Sequence, residues 1–121
     1  KKILICGVSY RQDVGDTRNS PSEMLFKELN KGKEIITCHD PYLSYWEELK
    51  ISLDNTLPDS TEFDAIIFTV PHKQYKELDL IEWLNEETVV LDANLVIDDE
   101  KRAILKETGM KIETIGRANG L

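Results

Sequence analysis

Four charged side chains crowd into one short stretch near the start of the chain: Arg11, Asp13, Asp16 and Arg18. A guanidinium is a planar fork that matches phosphate oxygens, so two of them on one loop suit a phosphate or pyrophosphate. A third, Arg117, lies at the end of another predicted strand. If the three converge they form an anion site; alternatively one or more pairs with Asp13 or Asp16 and is structural. The two histidines, His39 and His72, lie far apart and the cysteines are single, so no metal-ligand spacing is present. Cys6 and Cys38 read as buried thiols in a reducing compartment, with a geometrically demanding disulfide between neighbouring strands as the alternative. His39 adjoins Cys38, yet sequence alone fixes no thiol–imidazole pair. There is no Walker loop, nucleophile elbow or Cys-x-x-Cys. On its residues, the chain reads as a nucleotide-binding α/β domain and not as a complete enzyme.

The elements that must position these groups follow from local pattern. Ile3 to Val8 is a short apolar run and predicts a buried strand. Ser20 predicts an N-cap, Pro21 suits the first helical position, and Glu23 completes a capping box. The helix runs over 22–30 with Met24, Leu25 and Leu29 on one side, and Gly32 stops it. Strand, charged loop and capped helix form the first half of a βαβ unit. Ligands in such sheets sit outside the carboxyl ends of the strands, where this loop lies. A second strand, 34–40, ends in Asp40 before Pro41. An acid there holds a ribose in a Rossmann unit, but Gly7 is followed by Val, Ser, Tyr and Arg, so the glycine fingerprint is missing. Asp40 is thus either a turn acid or a ligand contact.

Over 42–58, Leu43, Trp46 and Leu49 have helical spacing and predict a short helix, with a brief edge strand at 51–53. Tyr42, Tyr45 and Trp46 read as packing rather than as a base-stacking platform. A short polar helix or turn is expected at 59–62. The run 63–70 is almost continuously apolar, as in a strand buried on both faces. It delivers Thr69, Val70, Pro71 and His72 to the same edge as Arg11. His72 is either a contact to substrate or a neighbouring subunit, or a solvated loop residue. A helix over 78–84 offers Leu80, Ile81, Trp83 and Leu84 to the core. A strand at 88–92 ends in Asp92, Ala93 and Asn94. A helix over 100–108, preceded by Asp98 and Asp99, carries Ala103, Ile104 and Leu105. An edge strand at 111–115 closes the order. Strands alternate with helices throughout, so the expected class is α/β: a Rossmann-like three-layer domain with a mainly parallel sheet flanked by helices.

The 121 residues suffice for one domain with a real core, and 40% hydrophobic with 31% charged residues is ordinary for a globular chain. A net charge of -8 disfavours nucleic acid or an anionic membrane as partner. It leaves room for a small anion, because local arginines outweigh the global charge at contact range. No stretch approaches the ~20 apolar residues of a membrane span, and the start does not read as a signal peptide. A cytoplasmic location is expected.

The segment Gly7-Val-Ser-Tyr-Arg-Gln-Asp-Val-Gly-Asp-Thr-Arg-Asn-Ser-Pro-Ser22 resembles the signature that opens the C-terminal domain of the UDP-glucose/GDP-mannose dehydrogenase family. Asp40-Pro41-Tyr42, the stretch from Phe63 to His72, Val89 to Asp92, and Ile115-Gly116-Arg117 fit the same pattern in order, so the resemblance covers essentially the whole chain. It implies that residues 1–121 are a UDP-sugar-binding domain, excised or separately encoded. The family's NAD-binding and central dimerisation domains would be its partners. It implies an NAD-dependent oxidation of a sugar C6 alcohol to a carboxylate, on a catalytic cysteine held by those other parts. By resemblance Tyr10 and Arg11 meet the nucleotide sugar and Arg18 reaches the NAD. Arg11 replaces a family lysine, and Gly15 stands where an acid is frequent. Asn94-Leu95 stands where a substrate arginine is common, which makes Asn94 the candidate substrate contact there. The alternatives are a non-catalytic module that kept the fold and lost the substrate, and a stand-alone enzyme, against which the missing catalytic set speaks.

Overall fold

The structure, a computed structural model, describes residues 1–9 and 20–114. Five parallel strands form the central sheet: β1 (Lys2–Cys6), β2 (Ile35–His39), β5 (Ala65–Phe68), β6 (Val89–Asp92) and β7 (Lys111–Thr114), in the order β2-β1-β5-β6-β7. β3 (Tyr45–Trp46) and β4 (Ile51–Ser52) make a separate antiparallel hairpin. The helices are α1 (Pro21–Leu29), α2 (Lys73–Lys76), α3 (Leu80–Trp83) and α4 (Asp99–Glu107), with a 3-10 turn at Ser60–Glu62.

Adjacent residues of β1 point to opposite faces of the sheet, and two cores result. On one face Ile5 and Val8 pack with Cys38, Trp46 and Leu53, covered by Leu25, Phe26 and Leu29 of α1. On the other, Leu4 and Cys6 pack with Phe68, Tyr75, Leu80, Val90 and Leu105, under α2, α3 and α4. Rossmann-like layering is therefore observed as the pattern of apolar runs predicts. β7 behaves as an edge strand should, with Ile112 buried and its neighbours exposed.

Three local expectations are corrected. The helix predicted from Leu43, Trp46 and Leu49 is the β3–β4 hairpin instead. Tyr45 is exposed and Trp46 buried, a period of two, and Lys50 takes a left-handed φ of 55° in the connecting turn. Met24 is 76% exposed, since α1 turns Leu25, Phe26 and Leu29 inward. Ile81 and Ile104 are likewise exposed; their neighbours Leu80 and Leu105 supply the core contacts. The cap of α1 also differs in detail. The Ser20 hydroxyl accepts from the Ser22 N–H at 3.1 Å, and the Glu23 carboxylate pairs with Lys27 one turn on.

Candidate functional site

Parallel strands deliver all their carboxyl ends to one edge. Here that edge carries Gly7, Val8 and Ser9 after β1, Asp40 and Pro41 after β2, Thr69 to His72 after β5, and Ala93 to Leu95 after β6. The chain leaving β1 turns to α1 on one face, whereas the chain leaving β5 turns to α2 on the other. Between them lies the topological switch point, where open α/β sheets bind ligands.

Backbone approach at this point is close. Gly7 has φ +108°, and a Cβ there would lie 2.7 Å from Val70 Cβ and 2.9 Å from the Val70 amide nitrogen. A glycine is required on both counts. Hydroxyls then stitch the crevice. Buried Ser22 of α1 donates toward the Gly7 carbonyl at 2.6 Å and lies 2.9 Å from Thr69 Oγ1. Thr69 Oγ1 is in turn 3.1 Å from the Cys6 carbonyl and 2.5 Å from that of Gly7.

Asp40 is fully buried and organises the edge. Its Oδ2 accepts from the Val8 N–H (2.9 Å), the Ser9 N–H (3.0 Å), the Ser9 hydroxyl (2.8 Å) and His72 Nε2 (3.0 Å). Its Oδ1 accepts from the Tyr42 N–H at 2.9 Å. Burial works to raise its pKa, but the hydrogen bonds from His72, Tyr42 and Val8 outweigh it and hold the carboxyl below the usual range. Both oxygens accept from protein groups, which makes Asp40 a structural anchor of this edge. This edge, lacking also the glycine fingerprint, does not fit a dinucleotide held in the ordinary Rossmann manner. His72 is neither solvated nor outward-facing. Its ring is fully buried against Tyr42 and Tyr75, at centroid distances of 4.9 and 5.6 Å.

His39 is also buried, with Nε2 3.0 Å from the Asn55 carbonyl and Nδ1 2.8 Å from the Tyr75 hydroxyl. A carbonyl only accepts, so Nε2 donates to Asn55, while the Tyr75 hydroxyl lies against Nδ1 and donates to the His39 carbonyl at 3.1 Å. Burial lowers the His39 pKa despite the Asn55 bond. Burial likewise pushes the Cys38 thiol up to about 12 and raises that of Cys6. Both cysteines are buried and unbridged, which suits packing and not nucleophilic chemistry. No cluster of metal-binding side chains occurs among the described residues.

After β6, the buried Asp92 carboxylate accepts from the N–H groups of Asn94, Val96 and Ile97. Leu95 is thereby held at φ +53° with its side chain 52% exposed at the edge. The Asn94 amide donates to the Thr69 carbonyl at 3.1 Å, which ties the β6 loop to the β5 loop. Asn94 thus stands at the carboxyl edge, beside the switch point. Tyr10, Arg11 and Arg18, and with them Asp13, Asp16 and Arg117, lie outside the described residues. In the chain, residues 10–19 stand between Ser9, after β1, and Ser20, before α1, and Arg117 follows β7. The anchoring roles of Ser9, Ser22, Thr69 and Asp92 carry no signal in the sequence; Asp40 before Pro41 marked a strand end and left open a turn acid or a ligand contact.

Comparison with known proteins places this arrangement. The model of the UDP-glucose/GDP-mannose dehydrogenase family, UDP binding domain, matches residues 4–99. A UDP-N-acetyl-D-mannosamine dehydrogenase of Methanococcus maripaludis is 28% identical over 120 residues, covering 95% of this chain and 27% of the relative. One from Methanocaldococcus jannaschii is also 28% identical, with 95% and 27% covered. The chain therefore spans about a quarter of the length of the curated relatives it matches. Among solved structures, an NDP-N-acetyl-D-galactosaminuronic acid dehydrogenase from Methanosarcina mazei Go1 superimposes with a TM-score of 0.78 at 24% identity, over 96% of this chain and 24% of that one. A UDP-D-ManNAc dehydrogenase from Pyrococcus horikoshii gives 0.70 at 22% identity, over 97% and 26%. At these identities the structures attest the fold alone.

Proposed function

The chain belongs to the UDP-glucose/GDP-mannose dehydrogenase family, and we propose that residues 1–121 are its nucleotide-sugar-binding unit within an NAD-dependent UDP-sugar 6-dehydrogenase. The observation that carries this reading is the switch point itself. Gly7, Asp40 and Thr69 tie together the carboxyl ends of β1, β2 and β5, and the stretch that carries Arg11 and Arg18 follows β1 in the chain. In this reading Tyr10 and Arg11 hold the nucleotide and its diphosphate. Asn94, tied to the Thr69 carbonyl, lines the same edge as a substrate contact. Arg18 reaches toward NAD bound by another domain of the whole protein.

Each residue's part follows from its chemistry. A guanidinium at position 11 neutralises diphosphate charge with directed hydrogen bonds, which a lysine would do as a point charge. NAD, when bound by its own domain, supplies the hydride acceptor for oxidation of the C6 alcohol. This domain's contribution is to bind and orient the sugar. The names of the curated relatives make a UDP-N-acetylhexosamine the first sugar to test.

Calorimetric titration with UDP, repeated on Arg11→Ala, tests the reading. Binding in the micromolar-to-millimolar range, weakened by ~1–3 kcal/mol on loss of a charge-assisted contact, is the expected result. No heat of binding at millimolar UDP would instead favour a module that kept the fold and lost the ligand.

A further inference from the structure

We propose that the β3–β4 hairpin is a strap poised to close on the main sheet: pivoting at Asp54, it brings Ile51 and Ser52 alongside Ile36 and Thr37 and makes β4 a further parallel strand outside β2.

Four observations carry it. First, the two edges are already joined at one point. The Asp54 N–H donates to the Cys38 carbonyl at 3.0 Å and the Asp40 N–H donates to the Asp54 carbonyl at 3.1 Å, an isolated parallel bridge between His39 and Asp54. Beyond it the strands part. A groove of about 220 Å3 lies between them, lined by Ile36, Thr37, Cys38, Ile51 and Ser52, with Phe26 of α1 beside it. Second, the groups that would extend the ladder face one another across this groove. Backbone direction alternates along a strand. β2 turns Ile35 and His39 toward β1, through the Ile35 N–H to Lys1 and the His39 carbonyl from Gly7, so Ile36 and Cys38 turn their backbone groups outward. Within the hairpin the Leu53 N–H donates to Ser44, so Ser52 turns its own toward β2, as Asp54 does. Third, the register agrees. Counting back from the bridge sets Cys38 beside Leu53, Thr37 beside Ser52 and Ile36 beside Ile51. Cys38, Leu53, Ile36 and Ile51 already pack in the core under α1, whereas a slip by one residue would set Ser52 on that face. Fourth, the open form leaves groups unprovided for. Trp46, the strand partner of Ile51, is fully buried with its indole N–H lacking a hydrogen-bond partner. β2 is an edge strand with Ile35 60% exposed, and the doubly wound strand order has one more strand just outside this one. The pivot bonds the backbone of Asp40, whose carboxylate holds Val8, Ser9 and His72, so the strap hangs from the residue that ties the strand ends together.

Amide hydrogen exchange on the full 121-residue chain reads the closure. Closing gives the Ser52 N–H the Ile36 carbonyl as partner, whereas the Tyr45 N–H, opposite Ser52 on the far side of the hairpin, gains none. With each corrected for its intrinsic rate, Ser52 should exchange more slowly than Tyr45 by about tenfold or more. A disulfide traps the same state. In the closed form Thr37→Cys/Ser52→Cys sets two thiols on neighbouring strands roughly 4.8 Å apart, within the span of a disulfide. That pair should cross-link under mild oxidation, and Thr37→Cys/Tyr45→Cys, one strand further away, should not. Ser52 exchanging as fast as Tyr45 would overturn the inference. So would a folded Thr37→Cys/Ser52→Cys variant that fails to cross-link, and so would equal cross-linking of both pairs, the mark of a hairpin with no fixed seat. Should either double variant not fold, the exchange measurement on the unsubstituted chain decides alone.

Discussion

Replacing Gly7 by alanine should be among the most damaging small substitutions in this domain, and the structure allows its cost to be divided. Two of the described glycines have left-handed φ angles, Gly7 at +108° and Gly109 at +94°. A side chain at either must bear backbone strain, on the order of 1–3 kcal/mol. Their surroundings differ. A Cβ at Gly109 would meet the flexible Glu86 carboxylate at 3.4 Å, an ordinary contact. A Cβ at Gly7 would meet Val70 Cβ at 2.7 Å and the Val70 backbone nitrogen at 2.9 Å. Those atoms belong to the strand end that also carries Thr69, so relief requires parting β1 from β5. Overpacking of this kind costs a further ~1–3 kcal/mol. Gly109→Ala should therefore lose ~1–3 kcal/mol, and Gly7→Ala ~2–6 kcal/mol, against a total stability of roughly 5–15 kcal/mol for a domain of this size. Urea unfolding followed by tryptophan fluorescence measures both. A Gly7→Ala variant no less stable than Gly109→Ala would show that the crevice yields freely, and the account of a rigid switch point would fail.

Other consequences are as direct. Asp40→Ala strands the buried donors of Val8, Ser9 and His72 and should cost at least ~3 kcal/mol, seen as a fall in the urea midpoint; a loss under ~1 kcal/mol would contradict the hydrogen-bond assignment. Ser22→Ala removes a hydroxyl bonded at 2.6 Å to the Gly7 carbonyl and should cost ~1–2 kcal/mol in the same assay, an unchanged midpoint counting against that bond. The folded pKa of His39 lies below its ordinary value of 6.5, so its contribution to stability is present above that pH and is lost on acidification, at up to about 1.4 kcal/mol per pH unit. An NMR titration of the ring should give a midpoint under 6.5; one at or above it would refute the buried neutral assignment. With its thiol pushed up to about 12 and its side chain buried, Cys38 should resist alkylation at neutral pH until the chain is unfolded, and rapid labelling of the native protein would argue otherwise.

What the sequence determined by itself was local or periodic. The continuous apolar runs at Ile3–Val8, Phe63–Val70 and Thr88–Leu91 specify strands buried on both faces, because a parallel sheet covered by helices leaves no wet side. Ser20, Asp98 and Gly109 mark helix ends through bonds that close within a few residues. The loop pattern from Gly7 to Ser22 was long enough to point to a family. Periodicity failed where a run was short: over Leu43 to Leu49 a spacing of three suits a helix, yet burying Trp46 in a two-residue strand wins because α1 and Leu53 already offer it a core. The site's internal logic was decided by tertiary structure alone. Asp40 could be read as a ribose acid or a turn acid, and His72 as a ligand contact or a solvated loop residue. Each alternative was settled by partners thirty or more residues away in the chain. Hydrogen bonds of that range depend on which strand ends the topology brings side by side, and that order, β2-β1-β5, follows from the packing of the whole sheet and from no single stretch of sequence.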